Sequence, residues 1–226
     1  MPLELSRVRA LCFDIDGTLS DTDDQWVEKL TQAFSRLSFL FPRRQPRPFA
    51  RWLTMRLETP ANAAYHLLDR LHLDDEALRL LAALQRWRES RPKAAFWLMA
   101  GVGEMLKRLH GRFPMAIVSA RDEDGVLAFL RQHELQPFFA AVASAQTCAY
   151  TKPFPDPVRW AAQQMGVPPE ACLMIGDTVV DIRAGRAAGA QTVGVLCGFG
   201  SEAELRRAGA DLILASTAQL ADYLTG

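Results

Sequence analysis

The chain has 226 residues, 49% of them apolar, and its 26 basic residues balance its 26 acidic residues. This length is enough for one large core together with a smaller inserted unit. The even charge disfavours nucleic acid as the main partner, and no apolar run is long enough to cross a bilayer. Because no secretion signal opens the sequence either, we expect a cytoplasmic protein that binds a small molecule.

The first predicted element is a short apolar strand from Val8 to Phe13, which leads directly into Asp14 and Asp16. Side chains two residues apart along a strand point the same way, so the two acids share one face. Their mutual repulsion raises the pKa of one or both unless a cation or hydrogen bonds offset it. An ordinary Asp-Gly turn with Thr18 opening a helix is the alternative, but the pairing favours a carboxylate nucleophile, a second carboxyl group as proton shuttle and a divalent metal.

Residues 21–96 are predicted to form a helical cap domain inserted into a core made of residues 1–20 and 97–226. Apolar residues recur at helical spacing between Trp26 and Leu37, and again between Asp74 and Glu89. No strand-like run interrupts them, so the pattern is helical throughout.

A proline-broken basic stretch lies within this insert. We favour a solvated connection between helices, with the alternative that one or two of its arginines bind an anionic group of the substrate through bidentate contacts. The arginines concerned are Arg43, Arg44, Arg47, Arg51 and Arg56.

After the insert, short apolar runs alternate with helical patterns. Strands are predicted at Met115 to Val118, Ala140 to Ala143, Cys172 to Ile175 and Thr192 to Leu196. Helices are predicted at Val102 to Leu109, Asp122 to His133, Pro157 to Met165, Val179 to Ala188, Ser201 to Ala208 and Ser216 to Leu224. This alternation predicts an α/β fold, a doubly wound, Rossmann-like and mainly parallel sheet whose ligands lie beyond the carboxyl ends of the strands.

Two polar motifs follow predicted strands at that edge. Ser119, Ala120 and Arg121 come directly after the second strand, where a hydroxyl and backbone amides at the start of a helix favour a phosphate, although a simple helix cap is the ordinary alternative. Lys152 follows the third strand in a loop stiffened by Pro153 and further prolines, which favours a fixed partner for phosphate and carboxylate over a solvated lysine.

A second pair of acids, Asp177 and Asp181, follows the fourth strand. We expect Asp177 to begin the next helix, with Asp181 one turn further on, so that both carboxylates face one point. Acids here could simply complement the helix dipole. With Asp14 and Asp16 nearby, a hard cation with oxygen ligands, such as Mg²⁺, is the better explanation.

In this order and spacing, the motifs resemble the haloacid dehalogenase superfamily, and within it the phosphoglycolate-phosphatase-like branch with a helical cap inserted after the first strand. The motifs that carry the resemblance are Asp14-Ile-Asp16-Gly-Thr, the strand-end Ser119, Lys152-Pro153 and Gly176-Asp177-Thr-Val-Val-Asp181. The likeness extends over nearly the whole chain. It implies a Mg²⁺-dependent phosphatase that acts on a small phosphorylated metabolite.

The resemblance also implies a separate catalytic role for each of the matched residues. Asp14 attacks phosphorus to form an aspartyl phosphate, and Asp16 protonates the leaving group and then takes a proton from water. Mg²⁺ is held by Asp14, the backbone carbonyl of Asp16 and Asp177, with Asp181 supporting the metal or orienting Lys152. The implied phosphate- and substrate-binding residues are Thr18, Ser119, Ala120, Arg121 and Lys152.

Other activities of the superfamily are distinguished at single positions. Asp16 argues against a dehalogenase, which lacks this second carboxylate, and the absence of histidine in residues 22–26 argues against a sugar phosphomutase. A pyrophosphatase and a sugar phosphatase remain open. From other classes, a phospho-receiver domain fits poorly, and a catalytically silent module that binds phosphorylated ligands is disfavoured because Asp14 and Asp16 are both present.

Overall fold

The computed structural model describes residues 3–21, Phe34 and residues 96–225. Apart from Phe34, the predicted helices of the insert lie outside the described residues, and so do the arginines of its basic stretch, Arg43, Arg44, Arg47, Arg51 and Arg56. The chain divides into two compact units, Met1–Thr22 with Phe96–Gly226, and Asp23–Ala95. All elements given below belong to the first unit, and the function of residues 21–96 as a cap stays a prediction.

Six parallel strands form one sheet. They are β1 (Ala10–Phe13), β2 (Met115–Val118), β3 (Ala141–Ala143), β4 (Cys172–Gly176), β5 (Gln191–Val195) and β6 (Leu212–Leu214). Their order across the sheet is β3-β2-β1-β4-β5-β6. The five predicted strands are confirmed, with ends that differ by one or two residues. The sixth was not predicted, because an edge strand of three residues, two of them only half-buried, leaves too short an apolar run.

Helices fill the connections between the strands. They are α1 (Val102–Leu109), α2 (Glu123–Gln132), α3 (Asp156–Gln164), α4 (Val179–Ala188), α5 (Glu202–Ala208) and α6 (Leu220–Thr225). Single 3₁₀ turns occupy Leu5–Arg7, Gln136–Phe138, Pro169–Ala171 and Thr217–Gln219.

The predicted helix from Ser216 to Leu224 is wrong at its start. A 3₁₀ turn precedes α6, because the Ser216 hydroxyl oxygen accepts a hydrogen bond from the Ala218 amide and Gln219 completes a capping box. The other predicted helices are confirmed to within one residue at each end.

The sheet is covered on both faces, which confirms the doubly wound fold. One face presents large side chains such as Leu11 and Phe13 of β1, which pack with α1, α2 and α6. The other presents small ones such as Ala10 and Cys12, which pack with α3 and α4. Within the residues that the structure describes, none of the helices has the length and apolar character needed to span a bilayer.

The central position of β1 determines where the acids meet. β1 pairs with β2 on one side and with β4 on the other, and Phe13 is in register with both Ile117 and Ile175. Because all strands are parallel, their carboxyl ends share one edge of the sheet. The residues that follow β1, β2 and β4 therefore lie side by side.

Close packing of α4 on the small-residue face gives a stability prediction. A Cβ atom at Gly185 would lie 2.6 Å from Thr192 Cγ2 and 2.8 Å from Met174 Cβ. We expect Gly185→Ala to lower the free energy of unfolding, because overpacking costs about 1–3 kcal/mol, more than the roughly 0.5–1 kcal/mol that alanine gains over glycine in a helix.

Gly103→Ala in α1 is the matched control, since the nearest atom to its Cβ would be Leu98 Cδ2 at 3.7 Å, an ordinary contact. Urea denaturation of both variants measures the difference. Equal changes in the free energy of unfolding would contradict the packing argument.

Candidate active site

A buried lysine joins two of the predicted acids. Lys152 Nζ lies 2.6 Å from Asp14 Oδ1 and 2.6 Å from Asp181 Oδ1. Only 3% of the Lys152 side chain is exposed, and Asp181 is fully buried. Residues from the loop after β1, the loop after β3 and the first turn of α4 thus meet at the carboxyl edge of the sheet. The Lys152–Pro153 peptide bond is cis.

Asp181 is held at both carboxylate oxygens. While Oδ1 accepts from Lys152, Oδ2 accepts from the Thr178 amide at 3.0 Å and from its hydroxyl at 2.6 Å. Thr178 caps α4, and Asp181 closes the capping box. Of the two roles predicted for Asp181, these contacts favour orientation of Lys152.

Asp177 is fully buried, and glycines pack directly against its carboxylate group. A Cβ atom at Gly17 would lie 2.3 Å from Asp177 Oδ2, and one at Gly198 would lie 2.1 Å from the same atom. Asp177 Oδ1 accepts from the Thr18 hydroxyl at 3.2 Å, and Oδ2 accepts from the Phe199 amide at 2.8 Å. No larger residue fits at the two glycines without displacing the carboxylate.

The prediction that Asp177 begins the helix is wrong. α4 begins at Val179 with Thr178 as its N-cap, so Asp177 lies in the turn that precedes the helix. Its carboxylate is nevertheless close to the others, because this turn runs along the same sheet edge as the loop after β1.

The charges of this group fit a divalent cation. Among the described residues, Asp14, Asp177 and Asp181 each offer a carboxylate oxygen within 4.8 Å of the others. Three carboxylates and the ammonium group of Lys152 thus lie close together in a buried place. Burial of such charge is costly unless a counter-charge accompanies it. Oxygen ligands in this number suit a hard cation such as Mg²⁺.

The pKa values reflect the same crowding. Burial raises the pKa of Asp14 to about 7; Lys152 opposes this shift, whereas the charges of Asp181 and Asp16 add to it. Burial also acts to lower the pKa of Lys152, but the two acids that it contacts outweigh burial and raise the pKa above its usual value. Lys152 is therefore a permanent cation, and a second cation beside Asp14 would favour its ionised form.

Asp16 is not part of the three-carboxylate group; its carboxylate pairs with Arg121. Arg121 Nε donates to Asp16 Oδ2 at 3.1 Å, and Arg121 Nη2 donates to Asp16 Oδ1. The guanidinium carbon also lies 4.8 Å from the centre of the Phe96 ring. Arg121 is predicted to bind substrate. In the structure its guanidinium instead pairs with the carboxylate of Asp16, the residue predicted to transfer protons.

Ser119 lies where predicted, at the end of β2, but not at a helix start. Its side chain is buried, its amide donates to the Ala143 carbonyl at 2.9 Å, and its hydroxyl accepts from the Arg121 amide at 3.2 Å. α2 begins only at Glu123, and its N-cap Asp122 accepts from the Gly125 amide. An acid thus occupies the helix end that was expected to favour an anion.

Of the other predicted substrate-binding residues, Thr18 is buried against Asp177, and Ala120 is exposed. Their contacts with substrate stay predictions.

Several supporting residues escaped sequence reasoning. Phe96 under Arg121 and Thr178 on Asp181 carry no motif that marks them. Gly198 and Phe199 were detectable in principle, because Gly198-Phe-Gly200 directly follows a predicted strand at the ligand edge.

Comparison with known proteins agrees with this geometry. A family model described as haloacid dehalogenase-like hydrolase matches residues 11–195. A phosphoglycolate phosphatase of Photobacterium profundum is 28% identical over 228 residues, with 96% of each chain covered. A pyrophosphatase, PpaX, of Bacillus pumilus is 26% identical over 218 residues, with 95% of each chain covered.

Solved structures share the fold. A haloacid dehalogenase-like hydrolase from Streptococcus pneumoniae superposes with a TM-score of 0.71 at 21% identity, covering 97% of this chain and 100% of the other. A hydrolase from Pseudomonas syringae gives a TM-score of 0.71 at 24% identity, covering 96% and 97%.

The three-carboxylate group predicts that Mg²⁺ stabilises the folded chain. At a hundredfold excess over its dissociation constant, a ligand of the native state adds about 2.7 kcal/mol, which raises the melting temperature of a chain of this size by about 5 °C or more. Asp177→Asn should lose most of this shift, because one carboxylate oxygen of the group is replaced.

Asp124→Asn, an exposed acid in α2, is the control and should keep the full shift. Thermal melts of each variant with Mg²⁺ and with EDTA measure the difference. A full shift in Asp177→Asn would show that the cation binds elsewhere.

Proposed function

We propose that this chain, which belongs to the haloacid dehalogenase-like hydrolase family and is a phosphatase, removes phosphate from a small phosphorylated metabolite with the help of Mg²⁺ and through an aspartyl-phosphate intermediate. The observation that carries the proposal is the contact of Lys152 with both Asp14 and Asp181, in a buried group that Asp177 completes.

Asp14 is the nucleophile in this proposal. It follows the central strand, and its backbone amide donates to the Ile175 carbonyl at 3.0 Å, which extends the β1–β4 pairing up to the reacting residue. The side chain is therefore carried by backbone that is hydrogen-bonded to a neighbouring strand. Such pre-organisation converts attack on phosphorus into an effectively unimolecular step.

Lys152 has two tasks. Its ammonium group lowers the repulsion between the Asp14 carboxylate and an incoming phosphate, and it donates to phosphate oxygens. Asp181 and Thr178 keep it in place during both steps. Mg²⁺, when bound by Asp14, Asp177 and the backbone carbonyl of Asp16, supplies further positive charge against the phosphate oxygens. Ser119 and Thr18 lie along the same edge, where Ser119 contributes a hydroxyl group to phosphate binding.

Asp16 transfers protons in both half-reactions. It gives a proton to the leaving oxygen as Asp14 attacks, and it accepts one from the water that hydrolyses the aspartyl phosphate. Its side chain is 28% exposed, compared with 9% for Asp14. The difference suits a group that meets the leaving group and water rather than the phosphorus atom.

The names of the relatives define the candidate substrates. Phosphoglycolate and pyrophosphate are the substrates named for proteins similar to this chain over at least 95% of its length. A phosphoglycolate-type phosphate ester is the first candidate, and pyrophosphate is the second. A sugar phosphate lies outside these two names and is the third.

The nucleophile is tested by Asp14→Asn. An amide oxygen cannot form the aspartyl phosphate, so hydrolysis of p-nitrophenyl phosphate with Mg²⁺ should fall by at least about 10³-fold. EDTA should likewise abolish hydrolysis by the unmodified chain, and added Mg²⁺ should restore this activity. Asp124→Asn should keep its activity, whereas substantial turnover by Asp14→Asn would refute the nucleophile.

The proton shuttle is tested by a burst experiment with Asp16→Asn. Nitrophenolate leaves without protonation, whereas hydrolysis of the intermediate needs a base, which contributes about 10²–10⁴-fold. Rapid mixing should therefore show release of about one equivalent of p-nitrophenol, followed by slow turnover. A slow reaction without a burst would contradict the role of Asp16 as the base that promotes hydrolysis of the aspartyl phosphate.

A further inference from the structure

Arg121 is built into its position. Its backbone amide donates to Ser119 Oγ, and its carbonyl accepts from the Ala145 amide at 2.9 Å. The side chain lies between the Phe96 ring and Gly125, where a Cβ atom would come within 2.9 Å of Arg121 Cδ. The guanidinium is thus packed in a fixed position in which it pairs with Asp16 at the carboxyl edge of the sheet. This arrangement indicates a functional role.

The Asp16–Arg121 pair conflicts with one step of the proposed reaction. To protonate a leaving group, Asp16 must turn one oxygen towards it as an O–H donor, but each of its oxygens accepts a hydrogen bond from Arg121. The pair must therefore open, at least at one oxygen, before the leaving oxygen can be protonated. Opening is costly unless Arg121 finds another anion, since a partly buried guanidinium without a partner loses charge-assisted hydrogen bonds.

We propose that Arg121 holds Asp16 until the substrate arrives and then exchanges it for an anionic group on the leaving portion of the substrate, which makes Arg121 a specificity-determining residue. The inference rests on the proposed function and goes beyond it, because it names the substrate class: a phosphate whose leaving group carries its own carboxylate or phosphate. A planar fork of donors binds either anion in the way that it binds Asp16.

The exchange fits a balanced reaction. As the pair with Arg121 opens, the Asp16 carboxylate takes up a proton from solvent. Asp14 then forms a bond to phosphorus while the bond from phosphorus to the leaving oxygen breaks, and the leaving oxygen keeps the electron pair and takes the proton of Asp16. Water then attacks the aspartyl phosphate and returns a proton to Asp16, so that inorganic phosphate leaves and Asp14 is regenerated. Asp16 releases this proton to solvent when it pairs with Arg121 again. Arg121 forms no covalent bond; it stabilises the carboxylate of Asp16 before the exchange and the anion of the leaving group after it.

The location of the pair makes exchange feasible. The side chains of Arg121 and Asp16 are 17% and 28% exposed, so that solvent and a ligand can reach them. Lys152, which is 3% exposed and has two carboxylate partners, is in contrast confined. Of these two cations, Arg121 is thus the one that can change partners.

The test compares two probes that differ in one group, 2-phosphoglycolate with a carboxylate and 2-hydroxyethyl phosphate with a neutral hydroxymethyl. The unmodified chain with Mg²⁺ should favour phosphoglycolate in kcat/KM by about 10- to 100-fold, the effect of a charge-assisted hydrogen bond. Arg121→Gln should lose most of this preference, and Arg121→Lys, which keeps the charge without the fork, should recover part of it. Arg131→Gln, an exposed arginine in α2, is the control and should keep the full preference.

The possible outcomes separate the inference from the proposed function. An unchanged preference in Arg121→Gln would overturn the inference, and so would a parallel loss on both probes, which means that Arg121 only positions Asp16. A chain that cleaves p-nitrophenyl phosphate with Mg²⁺ but does not prefer or does not hydrolyse phosphoglycolate would also overturn it and leave the proposed function intact. Circular dichroism verifies folding, and Arg121→Lys provides the same test if the glutamine variant is unfolded.

Discussion

The contact of Lys152 with Asp14 and Asp181 is the interaction on which the site depends. A carboxylate nucleophile must approach a phosphate that is itself negative, and several carboxylates must stay close together without being neutralised. A buried ammonium group solves part of this problem, since in a place of low dielectric it acts more strongly than in water. In the proposed function, a divalent cation bound by the carboxylates adds further positive charge. Clustered buried charges lower the stability of the fold, whereas the proposed catalysis requires them, so the same few residues are subject to opposite constraints.

The sheet satisfies these demands by its topology. Neighbouring parallel strands β1 and β4 deliver Asp14 and Asp177 to one edge, while β2 delivers Ser119 and Arg121 beside them. Glycines then provide the space: Gly17, with a φ of +74°, lets the chain turn tightly after Asp16 and lie against the Asp177 carboxylate. A side chain at this position would be strained as well as obstructed.

Much of this arrangement was predictable from the sequence, for physical reasons. Buried parallel strands are continuous apolar runs, so five strands were found, and acids directly after such runs mark the ligand edge; β6 was too short to give a run. The partners of charged groups were not predictable, because they depend on contacts between loops far apart in sequence. Asp16 and Arg121 are 105 residues apart. The periodicity places α4 correctly at Val179 to Ala188, but Asp177 rather than Thr178 was assigned to its start, since Asp and Thr are both good N-caps and only the backbone decides between them.

The two cations of the site have different chemistry, and the difference follows from their surroundings. Lysine is a compact charge that accommodates several acceptors at once, and at position 152 it is enclosed by acids that also belong to the proposed metal group. Arginine offers a planar fork that matches one carboxylate or phosphate at a time, and at position 121 it is partly exposed and pairs with Asp16. A fixed cation suits the phosphate, which is common to every substrate of a phosphatase. A cation that can exchange its partner suits the leaving group, which is the part that differs between substrates, so under the proposed exchange Arg121 contributes to selectivity from the core.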